Sequence, residues 1–249
     1  MTGRSGDGVL AVQAPHPPIA QLYNSLMRPL ILASASPRRR QLLALAHWPF
    51  SVATANVDET PLPGEAPVDF VSRLSQAKAR AVAARLQQPQ ADLPLVVACD
   101  TTVVLDDRLL NKPADAAEAR AMLTALRART HQVLTGLAVL DTATGALHAE
   151  VVASAVPMRA YSEAEMAAYI ASGDPLDKAG AYAIQHPHFQ PVARGTFVDC
   201  FANVMGLPLC HLLRRLRAFG FMAPNLPQDC QVFIPYECPI FQELLIVDF

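Results

Sequence analysis

The sequence predicts an α/β protein with a substantial hydrophobic core, and three observations support this prediction. Short apolar runs typical of strands alternate along the chain with amphipathic runs typical of helices. Apolar residues make up 52% of the chain and charged residues 17%, which is the composition of a compact globular protein. At 249 residues the chain can bury a full core, in one large domain or two small ones.

Four elements are predicted in the first part of the chain. Residues 1–28 are rich in Gly, Pro and polar residues, and we expect a mobile N-terminal extension there. The apolar runs 30–33 and 49–57 are typical of strands, and the segments 37–46 and 67–86 are typical of helices. The loop before the second helix is acidic and contains Pro and Gly, which favour turns.

The second part of the chain is predicted to continue the alternation. A buried strand over 93–107 runs into a second extended segment, and a helix over 114–128 starts at Asp115. Paired strands flank the turn at 142–145, and a capping box predicts a helix over 162–173. Another amphipathic helix is predicted over 206–220, and the tail 222–249 can form an added strand, a dimer element or a poorly ordered end.

Charge and apolar patterning argue against several classes of protein. The net charge of -2 is not the basic excess of a general nucleic-acid-binding protein. No uncharged apolar run reaches the roughly 18 residues that span a bilayer, and residues 1–20 lack the pattern of a secretory signal. The five cysteines form no CxxC pair, so neither a disulfide framework nor a zinc site is indicated. We expect a cytoplasmic protein that binds neither nucleic acid nor membranes.

The segment "LASASPRRRQLL" places positive charge at a predicted helix start. Ser36 is expected to cap the helix and Pro37 to occupy its first position, so Arg38 and Arg39 fall in the first turn. The helix dipole disfavours cations there, unless an anion binds to the free N–H groups and the forked donors of arginine. The alternative is a solvated basic face on an ordinary strand–helix connection.

The segment "VVACDTTVV" places a carboxylate at or near the end of a buried strand. Ligands of α/β sheets gather at the carboxyl ends of strands, where Asp100 can hold a divalent metal or take a proton from water. The alternative is an aspartate that caps a turn with Thr101 or Thr102. Asp58 and Glu59 lie in the acidic loop and can join Asp100 around a metal.

Other polar residues of interest lie in otherwise apolar or turn-rich segments. Lys78 lies on the predicted Ala-rich helix, and Lys112 lies just before the next helix. The segment 173–185 contains Asp177 and Lys178 and ends at Gln185, whose amide can both donate to and accept from a base edge. Each of these residues alone is more typical of an ordinary surface position.

Taken together, these segments resemble the Maf family of nucleotide pyrophosphatases. The similar segments run in the family's order from Leu30 to about Gly220: "LASASPRRRQLL", "VDE", "RLSQAKA", "CDTTVVLD", "NKP", "RTHQVLTGLAV", "PLDKAGAYAIQ" and "NVMGLPL". The resemblance implies a family domain over 29–221 and leaves the tail 222–249 unassigned. It also implies a fold similar to inosine triphosphate pyrophosphatase, with an elongated mixed sheet, flanking helices and two lobes around a cleft.

The resemblance implies a reaction and a set of site residues. The family hydrolyses nucleoside triphosphates to a monophosphate and pyrophosphate with a divalent cation such as Mg, Mn or Co, and commonly forms homodimers. Asp100 would be the general base, with Lys78, Lys112 and Glu59 completing the catalytic set and Glu59 and Asp100 holding the metal. The residues that would bind substrate are Ser36, Arg38, Arg39, Thr101, Asp177, Lys178 and Gln185.

Substrate choice follows from the same resemblance. The pair Asp100–Thr101 is similar to the branch acting on dTTP and UTP, whereas a branch acting on 7-methyl-GTP has Gln after the Asp.

Arg40 is expected to be a surface residue. The chain departs from the family pattern at Gln41, Cys99, Ala183 and His186. The alternative function is a nucleotide-binding regulator of cell division and septum formation with little turnover.

Overall fold

A computed structural model of the chain describes residues 28–86 and 93–245, and these residues are built around one mixed six-stranded sheet. Its strands are β1 (Leu30–Leu32), β2 (Phe50–Val52), β3 (Leu95–Leu105), β4 (Arg108–Leu110), β5 (Thr130–Asp141) and β6 (Leu147–Pro157). The strand order is β2-β1-β3-β5-β6, and β4 pairs with β3. β1 runs parallel to β2 and β3, whereas β5 runs antiparallel to its two neighbours, β3 and β6. The predicted α/β class with a mixed sheet is confirmed.

Helices cover both faces of this sheet. They are α1 (Pro37–Ala44), α2 (Pro67–Ala83), α3 (Ala116–Leu126), α4 (Glu163–Ala171), α5 (Phe201–Val204), α6 (Leu209–Arg217), α7 (Leu226–Phe233) and α8 (Ile240–Leu245). The predicted caps at Ser36, Asp115 and Ser162 are confirmed, because each side chain accepts a hydrogen bond from the backbone N–H three residues later. Among the described residues, no helix is both long and apolar enough to cross a bilayer.

The two faces of β3 bury different cores, as the period of two in a strand requires. Val96 and Ala98 pack with Ala79 and Val82 of α2, whereas Leu95 and Val97 belong to the larger core on the opposite face. The larger core contains apolar residues of α1, α3, α4 and α6. Consecutive residues of β3 therefore face different helices, which decides where its polar residues point.

A glycine in β5 allows α2 to pack directly against the sheet. A methyl group at Gly136 would overlap the carbonyl oxygen of Val71 and lie 2.8 Å from the Ser75 Oγ. Any larger residue would push the helix away from the sheet. Because α2 also carries Lys78, this close approach sets the distance of Lys78 from β3.

Two predicted boundaries are wrong. The strand predicted over 49–57 covers only Phe50–Val52, because its partner β1 is equally short. The helix predicted over 206–220 begins at Leu209, because Gly206 has a φ of 101° and Pro208 lies just before the helix. The second extended segment predicted beside the buried strand is β4, reached through a turn in which both aspartates, 106 and 107, have positive φ.

The tail after residue 221 is part of the folded core as far as the structure describes it. Ile234 and Leu245 are buried in the larger core, and the Tyr236 hydroxyl donates to the Phe197 carbonyl oxygen at 2.9 Å. The added strand suggested for the end of the tail is wrong over residues 240–245, which are helical. Residues 246–249 and the extension predicted over 1–28, apart from Arg28, lie outside the described residues.

Candidate active site

A cleft of about 690 Å³ opens beside the middle of β3, where the parallel strand β1 ends. Five cationic side chains and three carboxylates line it, so its walls are net positive. All eleven side chains predicted as site residues line this one cleft. They are Ser36, Arg38, Arg39, Glu59, Lys78, Asp100, Thr101, Lys112, Asp177, Lys178 and Gln185.

Asp100 does not lie at the end of its strand, which corrects the sequence prediction. β3 continues for five residues beyond it, to Leu105. The parallel pairing with β1 covers only Leu95 to Val97, and β4 pairs from Val103 onward. Asp100 therefore lies at a gap in the pairing on one edge of β3, where the end of β1 opens the sheet to the cleft. The usual placement of ligands at strand ends holds for β1 rather than for β3.

Lys78 joins the two carboxylates of the cleft. Its Nζ lies 2.6 Å from Asp100 Oδ1 and 2.6 Å from Glu59 Oε1. Asp100 is buried and Lys78 nearly so, whereas the Glu59 side chain is 56% exposed. Burial raises the pKa of the Asp100 carboxyl, and the positive charge of Lys78 opposes that rise. A raised pKa makes Asp100 a stronger base toward a water proton than an exposed aspartate.

Asp58 does not join this carboxylate pair. Its Oδ1 accepts a hydrogen bond from the Thr60 backbone N–H at 2.9 Å, in an exposed turn. A hydrogen bond with the Thr60 side chain lowers the pKa of Asp58 most, and this backbone contact and the charge of Arg73 lower it further. Asp58 is absent from the cleft walls.

The three consecutive arginines of α1 have three different environments. Arg38 lines the cleft, and its guanidinium makes no hydrogen bond or ion pair within residues 28–86 and 93–245. The Arg39 guanidinium is surrounded by protein acceptors, and Arg40 is exposed. The helix start faces the cleft as well, because Ser36 and Pro37 line it. Arg38 thus has no anionic partner among the described residues, and it lies next to a helix N-terminus, which also attracts anions.

Arg39 holds three separate segments together. Its Nε donates to the Gly206 carbonyl oxygen at 2.8 Å, one terminal nitrogen donates to the Cys99 carbonyl oxygen at 2.9 Å, and the other donates to Thr101 Oγ1 at 2.9 Å. A weaker contact of 3.4 Å reaches Ser34 Oγ. These contacts occupy most of the fork that arginine would otherwise offer to a phosphate. The geometry therefore supports a positioning role for Arg39 more directly than a ligand role.

The opposite wall of the cleft comes from Asn111 and Lys112, which follow β4, and from residues 177–185. Lys112 and Gln185 are exposed, line the cleft and make no hydrogen bond or ion pair with the described residues. Lys178 is buried, and its Nζ donates to the Asp174 carbonyl oxygen and to Asp177 Oδ1, each at 2.6 Å. Lys178 and Asp177 thus stabilise the shape of this wall, whereas Lys112 and Gln185 are available to a ligand.

The bulkier residues that depart from the family pattern do not fill the cleft. Ala183 lines it with a small side chain, but the imidazole of His186 packs edge-on against the Tyr169 ring at 4.8 Å. The His186 Nδ1 also accepts the Phe189 backbone N–H at 2.8 Å. His186 therefore stabilises its own loop from behind the cleft wall.

The carboxylate pair has the chemistry of a divalent cation site. Glu59 Oε1 and Asp100 Oδ1 both lie 2.6 Å from one cationic nitrogen, so they converge on a common point. Oxygen donors of this kind suit Mg²⁺ and similar ions, which usually take one or two carboxylates plus phosphate oxygens and water. Within the described ranges no group of three or more His, Cys, Asp or Glu side chains is placed to hold a metal alone. These residues fit a cation that a phosphate ligand shares.

Several residues that shape the cleft were missed by the sequence analysis. Gly206 and Ser34 accept from Arg39, and Thr135 contacts Thr101. Asn203 is fully buried, and its Nδ2 reaches the Val133 and Val152 carbonyl oxygens at 3.4 and 3.3 Å and Ser154 Oγ at 2.9 Å. Asn203 and Gly206 both belong to the segment "NVMGLPL", so the segment was noticed while the role of its residues was not.

Sequence comparisons with known proteins agree on one family. The sequence profile described as Maf-like protein matches residues 29–219. A dTTP/UTP pyrophosphatase of Myxococcus xanthus is 47% identical over 200 residues, which cover 78% of this chain and 94% of the relative. One of the same name from Pasteurella multocida is 42% identical over 76% of this chain and 94% of its own length. Among solved structures, the Ham1 protein of Staphylococcus aureus has 12% identity and a TM-score of 0.41, over 69% of this chain and 81% of its own.

Proposed function

The chain belongs to the Maf-like protein family, and from this premise we propose its function. The protein is a nucleoside triphosphate pyrophosphatase that hydrolyses dTTP, UTP or a related nucleotide to the monophosphate and pyrophosphate. The observation that carries this proposal is a buried carboxylate, Asp100, paired with Lys78 in a cleft where Arg38 and Lys112 have no partner among the described residues. The names of relatives more than 40% identical to this chain support the substrate class.

The chemistry requires a base, a water molecule and neutralisation of the triphosphate. Asp100 takes a proton from water as the water oxygen attacks phosphorus, and the anhydride bond between the α and β phosphates breaks. Arg38 and Lys112 lack protein partners among the described residues and bind phosphate oxygens. Lys78 keeps Asp100 ionised and stabilises negative charge that develops beside it. Pyrophosphate leaves with the bridging oxygen.

A divalent cation such as Mg, Mn or Co fits Glu59 and Asp100, and when bound it would neutralise phosphate charge and orient the anhydride. Ser36 and the N–H groups at the start of α1 would bind a phosphate group. Thr101 and Gln185 would contact the base or the sugar, because both line the cleft. Asp177 and Lys178 would keep the opposite wall in place.

The experiment is an assay of pyrophosphate release from dTTP and UTP with Mg²⁺, Mn²⁺ or Co²⁺. Asp100→Asn is expected to lower kcat by about 10²–10⁴-fold with nucleotide binding retained, because the base is lost while the cations remain. Asp107→Asn is the matched control, since Asp107 lies in the exposed turn before β4. An Asp100→Asn protein as fast as wild type would remove the base role. Tight dTTP binding without pyrophosphate release from wild type would favour the regulator of cell division.

Three further properties belong to the same proposal. Residues 29–221 form the family domain, the protein is a homodimer, and it works in the cytoplasm, as the resemblance to the family implies. Light scattering of the purified protein tests the dimer, and a monomeric mass across the concentration range of the assay would contradict it.

A further inference from the structure

A chain of hydrogen bonds runs from the cleft into the core through two threonines that face each other on β3 and β5. Thr101 and Thr135 are direct neighbours in the strand register, and their Oγ1 atoms are 3.0 Å apart. The Thr135 hydroxyl donates to the Asn203 carbonyl oxygen at 3.3 Å. A carbonyl oxygen only accepts, so the single proton of Thr135 points to Asn203.

The direction of the hydrogen bond from Thr135 to Asn203 determines which threonine donates in the contact between Thr101 and Thr135. Because the Thr135 proton is already used, the contact of 3.0 Å is a hydrogen bond only if Thr101 donates to Thr135. Arg39, which can only donate, occupies one lone pair of Thr101 Oγ1 at 2.9 Å. The Thr101 hydroxyl then has no proton left, and only a lone pair remains for a ligand in the cleft.

The end of this hydrogen-bond chain at Asn203 is held firmly by buried contacts. Thr135 and Asn203 are both completely buried, so water does not compete for their bonds. The Asn203 side chain reaches carbonyl oxygens of β5 and β6, and its backbone N–H donates to Cys200 Sγ at the start of α5. The carbonyl oxygen that accepts from Thr135 therefore keeps its place whatever occupies the cleft.

We propose that Thr135 is a positioning residue that makes Thr101 a pure hydrogen-bond acceptor toward the cleft, so that the site selects a nucleotide with a donor at that point. That donor is the N3–H of thymine or uracil, because a sugar hydroxyl both donates and accepts and would pair with either orientation of Thr101. Cytosine has a lone pair at N3 and would face the Thr101 lone pair. This inference rests on the proposed function and extends it to a residue outside the cleft walls.

The test compares Thr135→Val and Thr135→Ser by kcat/KM for dTTP, dCTP and 2′,3′-dideoxy-TTP. Without an acceptor at residue 135, the Thr101 proton can turn to the cleft and donate to cytosine N3. Thr135→Val is therefore expected to lower the dTTP:dCTP ratio by about three- to tenfold. The ratio of dTTP to the dideoxy nucleotide is the control and should not change, because a 3′-hydroxyl can accept from Thr101 as well as donate to it. Thr135→Ser retains a hydroxyl and is expected to keep both ratios.

An unchanged dTTP:dCTP ratio in Thr135→Val, or an equal fall in Thr135→Ser, would overturn the proposal. If Thr135→Val does not fold, Thr101→Val removes the acceptor itself, and an unchanged ratio in that variant overturns the proposal equally. If wild type releases no pyrophosphate, the proposed function fails separately. The same ratios are then measured as Kd values for α,β-methylene analogues of the three nucleotides, and they decide the proposal alone.

Discussion

The ammonium group of Lys78 lies where a metal ion would have to bind. Its Nζ is 2.6 Å from oxygens of both Glu59 and Asp100, and the side chain is only 12% exposed. A buried carboxylate without a nearby cation would tend to bind a proton, so Lys78 keeps Asp100 charged in the free protein. The same closeness means that Lys78 competes with a divalent cation for these oxygens.

Replacement of Lys78 by Gln is expected to separate cation binding from catalysis. The variant should bind Mn²⁺ about tenfold more tightly or more, because two neighbouring carboxylates lose their competing charge. Its kcat should fall, because the charge beside Asp100 is lost. Titration calorimetry of the nucleotide-free protein measures the affinity. Lys112→Gln is the control, since Lys112 lines the same cleft without contacting either carboxylate. Equal Mn²⁺ affinity in Lys78→Gln and wild type would exclude Glu59 and Asp100 as the cation site.

At the scale of elements, Arg39 connects α1, β3 and the turn after α5. It contacts carbonyl oxygens of Gly206 and Cys99 and the Thr101 hydroxyl. Gly206 allows this approach, because a Cβ there would lie 3.2 Å from both Arg39 Nε and Thr101 Oγ1. The cleft thus keeps its shape through an internal cation, while Arg38, the preceding residue, remains available to substrate.

Alanine substitutions along α1 are expected to separate these roles. Arg39→Ala should lower the free energy of unfolding by about 2–3 kcal/mol, because it leaves buried carbonyl oxygens without their charged donor. Arg38→Ala should raise KM for the triphosphate and leave stability unchanged. Arg40→Ala, on the exposed side of the same helix, should change neither. Urea denaturation and steady-state kinetics measure both quantities. A loss in Arg40→Ala comparable to the others would show that the three arginines were divided wrongly.

Local signals predicted most elements, and tertiary contacts explain the exceptions. The caps of α1, α3 and α4 were predictable because the capping side chain and its partner lie within three residues. The turn that separates β4 from β3 was not, because its two aspartates with positive φ lack the usual Asn-Gly or Asp-Gly pair. The end of β2 was not predictable either, since it depends on the length of β1.

The candidate site, like the fold, was predictable where a short segment carries the signal and not where the contact joins residues far apart in the chain. The eleven residues could be chosen from the sequence because they lie in segments that resemble one family, and the structure places them in one cleft. The backbone partners of Arg39, which are the carbonyl oxygens of Cys99 and Gly206, could not be chosen. Arg39 is 167 positions from Gly206, and the alternation that turns Thr101 toward Arg39 and Asp100 toward Lys78 becomes visible only in the sheet.

At the scale of the whole molecule, the tail extends the core beyond the family domain. The family profile ends at residue 219, and the matches to this chain already cover 94% of the Myxococcus xanthus and Pasteurella multocida relatives, yet α7 and α8 follow. Met222 accepts from Trp48 Nε1 at 2.9 Å, and the Trp48 ring packs edge-on against Phe221 at 5.3 Å. Between Gly206 and residue 245, where the description of the chain stops, no further residue lines the cleft. The tail should therefore affect stability without affecting chemistry.

Two substitutions at neighbouring positions of the tail test this separation. Ile234 is 4% exposed and Val232 is 83% exposed, although they are two residues apart. Ile234→Ala should lower the free energy of unfolding by about 2–4 kcal/mol, because it leaves a cavity in the larger core. Val232→Ala should leave it unchanged, and both variants should release pyrophosphate at the wild-type rate at 25 °C. Urea denaturation measures the difference. Equal stability of the two variants would mean that the tail does not pack on the core in solution. The tail would then be a dimer element or a poorly ordered end instead.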